Sequence, residues 1–124
     1  MKVKQVFIKP NTEFSLHIAH WAISNGVECL GVSFEDNFEE NIDGLVVFNE
    51  NQDIEIEILE IRKSFDDRQK PVQRIDINGT LMVGVTGFSL WLDRNACESI
   101  LMIGSDQLCQ NPNLERYLSH IKIN

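Results

Sequence analysis

Gly44-Leu45-Val46-Val47-Phe48 runs without a polar side chain and then breaks into Asn49-Glu50-Asn51-Gln52-Asp53. A strand covered on one face alternates apolar with polar; a strand with no alternation is covered on both. That is the signature of a parallel sheet with helices above and below it. Ser99–Ile103 is a second run of the same kind, ended by Gly104.

Working outward, Asp53 is a good N-cap, and Ile54, Ile58, Ile61 and Phe65 follow at one-turn spacing. This predicts a helix to about Asp67. Ile54-Glu55-Ile56-Glu57-Ile58 also alternates with period two, so a strand over 53–60 competes with it. The helix is preferred because its pattern persists to Phe65. Pro71 opens a strand over 72–77, and Asn78-Gly79 is a hairpin turn signal, which predicts Thr80–Val85 as the return strand of a β-hairpin over 72–85. Residues 88–94 fit either a short helix or an extension of that strand. Upstream, Val3–Ile8 reads as a strand stopped by Pro10. Thr12 or Asn11 then caps a helix carrying Phe14, Ile18, Trp21 and Ala22, which Asn25-Gly26 ends. Cys29–Phe34 is a strand, and Glu35–Asp43 an acidic connection with one helical turn. Asn111-Pro112 starts a last helix to about His120.

Strands alternating with helices predict an α/β fold, a three-layer sandwich with a mostly parallel sheet, flavodoxin-like or TIR-like. The length of 124 residues fits one such domain over 1–124. Surface scaling gives roughly 6,800 Å² for the folded chain, about a third of what the extended chain exposes. In these folds ligands sit at the carboxyl ends of the strands. That rule selects Asn11, Asn49, Glu50, Ser105 and Asp106 as binding residues.

The net charge is −8, and it is unevenly spread: from Pro10 to Ile61 there are twelve acids and no Lys or Arg, while the remainder is net +4. Nucleic-acid backbones and anionic membranes both want a basic face, so neither is an expected partner. A protein with a basic surface is. An exposed edge strand would also allow a homodimer. Phe38 and Trp91 are the expected aromatic anchors of such a contact. The apolar runs are strand-sized and too short to span a bilayer. Cys29, Cys97 and Cys109 are odd in number, far apart and without a CxxC pair, which fits a reduced, cytoplasmic setting.

The segment Leu45-Val46-Val47-Phe48-Asn49-Glu50-Asn51-Gln52-Asp53, then Glu60, then Lys70-Pro71-Val72, resembles the nucleoside 2-deoxyribosyltransferase-like and TIR-like groups. The resemblance covers about a quarter of the chain. It implies glycosyl transfer or nucleotide glycosidase chemistry, with Glu60 as nucleophile and Asp53 as the second carboxylate. Leu59 and Ile61 stand where those groups place small residues. Asp43–Asn49 is similar to the third strand of response-regulator receivers, but Asn49, Pro10-Asn11 and Ser105-Asp106 lack the phosphoacceptor's chemical groups.

Other constellations are local. Glu39, Asn41, Asp43, the Leu45 carbonyl and Glu50, with Gly44 at the turn, follow the spacing of a calcium-binding EF-hand loop, although Glu39 stands where Asp is usual. His17 and His20 are three apart on the first helix, without an identifiable third metal ligand. Arg94 near Cys97 would lower that thiol's pKa. No GxGxxG or P-loop is present, so the reading calls for no cofactor. The expectation is a small acidic, non-catalytic interaction or regulatory domain, with a nucleoside- or nucleotide-acting enzyme using Glu60 and Asp53 as the alternative.

Overall fold

The structure is a computed structural model that describes residues 3–35, 37–51, 54–121 and 123. Five strands, β1 (Gln5–Ile8), β2 (Glu28–Gly31), β3 (Gly44–Asn49), β4 (Val72–Asp76) and β5 (Ser99–Gly104), form one sheet in the order β2-β1-β5-β3-β4. Every pairing is parallel. Four α-helices connect or follow them: α1 (Glu13–Ser24), α2 (Ile56–Asp67), α3 (Leu81–Asn95) and α4 (Asn113–His120). Short 3-10 turns occupy Phe38–Asn41 and Asp106–Gln110. The three-layer α/β sandwich read from the sequence is the one observed. Within it β5 sits between β1 and β3, a variation on the 2-1-3-4-5 order.

The direction of each step across the sheet sets the face of its connection when all crossovers share one hand. The steps β1 to β2 and β4 to β5 run the same way, so α1 and α3 lie on one face. The steps β2 to β3 and β3 to β4 run the other way, so residues 32–43 and α2 lie on the opposite face. The core divides accordingly. Val46, Phe48, Ile100 and Met102 pack with Phe14 and Ile18 of α1, Phe88 and Leu92 of α3, and Leu114 and Tyr117 of α4. The alternate residues Leu45, Val47, Leu101 and Ile103 pack with Ile58, Ile61 and Phe65 of α2 and with Val32 and Ile42. β3 is buried along its whole length, as its unbroken apolar run requires. The exposed surface is 6818 Å², close to the roughly 6,800 Å² that surface scaling gives for a folded chain of this mass.

The hairpin expected over 72–85 does not form. Asn78-Gly79 is a turn, but Asp76 organises it: its Oδ1 accepts the Asn78 N–H at 2.9 Å, and its carbonyl accepts the Gly79 N–H at 2.9 Å. The chain then enters α3, whose Leu81, Val85, Phe88 and Leu92 recur at helical spacing toward the core. A hairpin would also have been antiparallel, whereas β4 to β5 is a parallel crossover, which needs a helix. Gly84 lets α3 approach α4, since a Cβ there would lie 2.7 Å from Tyr117 Cε1. Residues 88–94 belong to this helix. The ambiguity over 53–60 resolves as helix from Ile56, with Glu55 as N-cap; Asp53 lies outside the described residues.

The acidic connection before β3 is pinned by two cations from the α2–β4 turn. Arg68 Nε lies 3.1 Å from Oε1 of the buried Glu39. Lys70 Nζ donates to the carbonyls of Glu39, Glu40 and Ile42. Among the described residues, no helix is long and apolar enough to cross a membrane.

Candidate functional site

The chain leaves β3 toward one face of the sheet and leaves β4 and β5 toward the other. Adjacent strand ends that diverge in this way open a crevice. One opens here beside the end of β5, with a volume of about 340 Å³. Lys9 and Thr12 line it from the β1 side, Ser105, Asp106 and Gln107 from the β5 side, and Glu57, Ile58 and Ile61 from α2. Glu50, Glu55, Ser105 and Gln107 line a smaller recess next to it. Gly104 keeps the end of β5 narrow, because a Cβ there would lie 2.8 Å from Phe14 and 2.9 Å from Leu108.

A carboxamide network ties the strand ends together. Glu50 Oε1 accepts from Gln107 Nε2 at 3.1 Å, and Glu50 Oε2 accepts from Asn111 Nδ2 at 2.9 Å. Asn78 Oδ1 accepts from Asn111 Nδ2 at 2.9 Å and Asn113 Nδ2 at 3.0 Å, while Asn78 Nδ2 donates to Asn51 Oδ1 at 3.0 Å. Asp76 Oδ1 also accepts the Asn51 N–H at 3.3 Å. Glu50 is thus a half-buried carboxylate held by two neutral donors; among the described residues no basic side chain pairs with it.

Charge around the crevice is negative. Its one lysine, Lys9, is paired with Glu57. The N-terminus of α1, which would otherwise attract an anion, is already served by the protein. Thr12 Oγ1 accepts the Ser15 N–H at 3.0 Å, and Asp106 Oδ1 accepts the Phe14 N–H at 2.9 Å. Ser105 Oγ accepts the Gln107 N–H at 3.2 Å, capping the turn that follows β5.

Three of the five strand-end residues read from the sequence stand in this region. Glu50 is in the network, and Ser105 and Asp106 line the crevice. Asn11 lies exposed after β1 with φ +66. Asn49 differs: alternation along β3 turns it toward the α2 face, where it is buried with neither carboxamide atom hydrogen-bonded. Glu60 is not brought to the crevice. It is exposed and borders a shallow depression with Phe34, Phe38 and Ser64 on the outer side of α2. Gln107, Asn78, Asn111 and Asn113 were missed as site residues, because Asn78 reads as a turn and Asn111 as a helix cap.

The calcium-loop residues are dispersed. Glu39 pairs with Arg68. Asn41 offers its carbonyl to Ser99 Oγ at 3.0 Å. Asp43 Oδ2 accepts the Glu98 N–H at 2.9 Å and the Ser99 N–H at 3.1 Å. Leu45 lies within β3, so Asp43 and Glu50 stand at opposite ends of an extended strand, about 23 Å apart. The EF-hand spacing is a coincidence of a loop running into a buried strand. Trp91, expected as an exposed anchor, is buried and stacked on Phe88; Phe38 is half-buried between Phe34 and Phe65.

The three cysteines are free. Burial, with the Asp43 charge adding to it, pushes the Cys97 thiol up to about 11. The lowering anticipated from Arg94 is therefore reversed, and Cys97 is a core residue. Cys109 is also pushed up to about 11, by burial and then by Glu13, Asp106 and Glu115.

No protein-family model matches the sequence, and no curated protein matches it. A solved structure does resemble it: a protein of Syntrophus aciditrophicus SB named "Putative molybdenum carrier protein". The TM-score is 0.74 at 10% sequence identity, over 95% of this chain and 91% of that one. At that identity the likeness is one of fold.

Proposed function

We propose that this domain is a non-catalytic binding module that takes a basic segment of a partner protein at the carboxyl end of its sheet. The observation that carries this is Glu50, a carboxylate held in place by Gln107 and Asn111 and left without a cation among the described residues. Glu55 lies beside it in the recess, and Asp106 and Glu57 line the adjoining crevice. Ile58 and Ile61 of α2 supply the apolar part of the crevice lining. An Arg or Lys side chain complements such a site, and the acid-rich half of the chain would steer its approach.

The name of the structural neighbour speaks of carrying molybdenum; binding of that element as an oxyanion does not fit these residues. An oxyanion needs free donors or cations. Here the single crevice lysine is paired, and a carboxylate occupies the helix N-terminus. The glycosyl-transfer alternative is the less favoured reading, because Glu60 borders a different depression and does not line the crevice.

The test is fluorescence anisotropy with labelled oligo-arginine and oligo-lysine nonapeptides at low salt. Binding should weaken steeply as salt rises, and Glu50→Gln with Glu55→Gln should lower affinity by about tenfold or more. Equal binding by the double variant would remove the crevice from the interaction.

A further inference from the structure

Beside the ends of β1 and β5, α1, the turn after β5, and α4 converge on a group of side chains that the binding reading does not use. Glu13 and His17 are one turn apart on α1. Cys109 comes from the Asp106–Gln110 turn. A carboxylate oxygen of Glu13, a ring nitrogen of His17 and Sγ of Cys109 all lie within 4.8 Å of one another. Glu115 of α4 completes the group, its Oε1 2.6 Å from His17 Nδ1. His20, paired with His17 by sequence spacing, is not part of the trio; Glu13 and Cys109 are the partners that spacing could not show.

We propose that Cys109, His17 and Glu13 form a site for a divalent, borderline-soft transition-metal ion, Zn²⁺ being the best match, with Glu115 orienting the imidazole. Thiolate, imidazole and carboxylate are the three donor types Zn²⁺ takes in proteins, and three protein ligands leave a fourth position for water. Thiolate selects against Mg²⁺ and Ca²⁺, which prefer all-oxygen sites. A carboxylate on the imidazole is the outer-shell contact that fixes a metal-binding histidine. Tetrahedral bonding places donor atoms about 3.5 Å apart. Exposed Glu13 and half-exposed His17 can close that gap from the helix surface. As the Sγ–metal bond forms, the Cys109 thiol gives up its proton to solvent, so one proton is released per ion. The bound ion would fasten α1, the 106–110 turn and, through Glu115, α4.

The experiment uses the full chain with Co²⁺ as spectroscopic probe and Zn²⁺ for calorimetry. Co²⁺ should give a thiolate charge-transfer band in the near ultraviolet and tetrahedral d–d bands, both displaced by one equivalent of Zn²⁺. Zn²⁺ should bind one to one with release of a proton, and should raise Tm by about 5–10 °C at a hundredfold excess over Kd. Cys109→Ser should abolish the charge-transfer band. Glu115→Gln, nearly isosteric and on the surface, should fold normally and weaken Zn²⁺ about tenfold. Cys29→Ser should leave both signals intact. A charge-transfer band that survives Cys109→Ser, or Zn²⁺ affinity unchanged in His17→Gln and Glu13→Gln, would overturn the site, as would the absence of any Co²⁺ band in the parent protein.

Discussion

Asp106 accepts the backbone N–H of Phe14 at 2.9 Å across 92 residues of chain, so the turn after β5 caps the first turn of α1. The bond places a carboxylate at the positive end of a helix dipole and satisfies a donor that the helix itself cannot. Asp106→Ala should destabilise the domain by about 1–2 kcal/mol. Asp106→Asn keeps an acceptor and should cost less, about 0.3–1 kcal/mol. Urea unfolding of the two variants checks this; equal losses would mean that the acceptor contributes nothing beyond the charge, and no loss in Asp106→Asn that the charge contributes nothing.

Arg68 and Glu39 make a second long-range pair, with Glu39 almost fully buried and Arg68 partly in water. Removing the cation strands a buried carboxylate. Arg68→Ala should therefore cost about 2–4 kcal/mol, the upper end being moderated by water reaching the arginine side. Adding Glu39→Leu to Arg68→Ala should recover a large part of that loss. A double variant as unstable as the single one would show that shape, not charge, sets the cost.

The elements legible in the sequence are those whose burial and local chemistry agree. β3 and β5 are apolar because both faces are covered, and α1 announces itself through Thr12 and its helical apolar spacing. α3 was illegible because local signals pointed elsewhere. Asn78-Gly79 and the β-branched Val83, Val85 and Thr86 mimic a hairpin, whereas the helix is imposed by a parallel crossover and by Leu81, Val85, Phe88 and Leu92 packing on the sheet. For the site, topology alone led to Glu50, Ser105 and Asp106. The partners that hold Glu50 come from the segment after β5, and no local pattern brings Gln107 or Asn111 to it. The same holds for Cys109 beside Glu13 and His17.

Gly84 tests the reading of α3. In an isolated helix Gly→Ala gains about 1 kcal/mol. Here the new methyl would meet the Tyr117 ring at 2.7 Å, and that ring is tethered by its hydroxyl donating to the Gly79 carbonyl at 3.0 Å. Overpacking costs about 1–3 kcal/mol, so Gly84→Ala should be net destabilising in thermal or urea unfolding. If Tyr117→Leu accompanies it, the penalty specific to Gly84→Ala should shrink. A stabilising Gly84→Ala would mean that the α3–α4 contact is looser than described.

Cys97 makes the domain sensitive to alkali. Its thiol is raised from 9.0 to about 11 in the folded state by burial and by Asp43. Below pH 9 the thiol is protonated in both folded and unfolded chains, and stability does not depend on it. Between pH 9 and 11 the unfolded chain loses the proton while the folded one keeps it, so stability falls as pH rises. Two pKa units correspond to at most about 2–3 kcal/mol from this residue. Cys29, Cys109 and Tyr117 are raised as well and add to the parent protein's slope, so the contribution of Cys97 is read as a difference. Cys97→Ala should begin less stable at pH 7, because a buried sulfur is removed, and should then lose less stability than the parent between pH 9 and 11. Urea unfolding at four pH values across that window measures both slopes. Parallel slopes would place Cys97 in contact with solvent rather than in the core under α3.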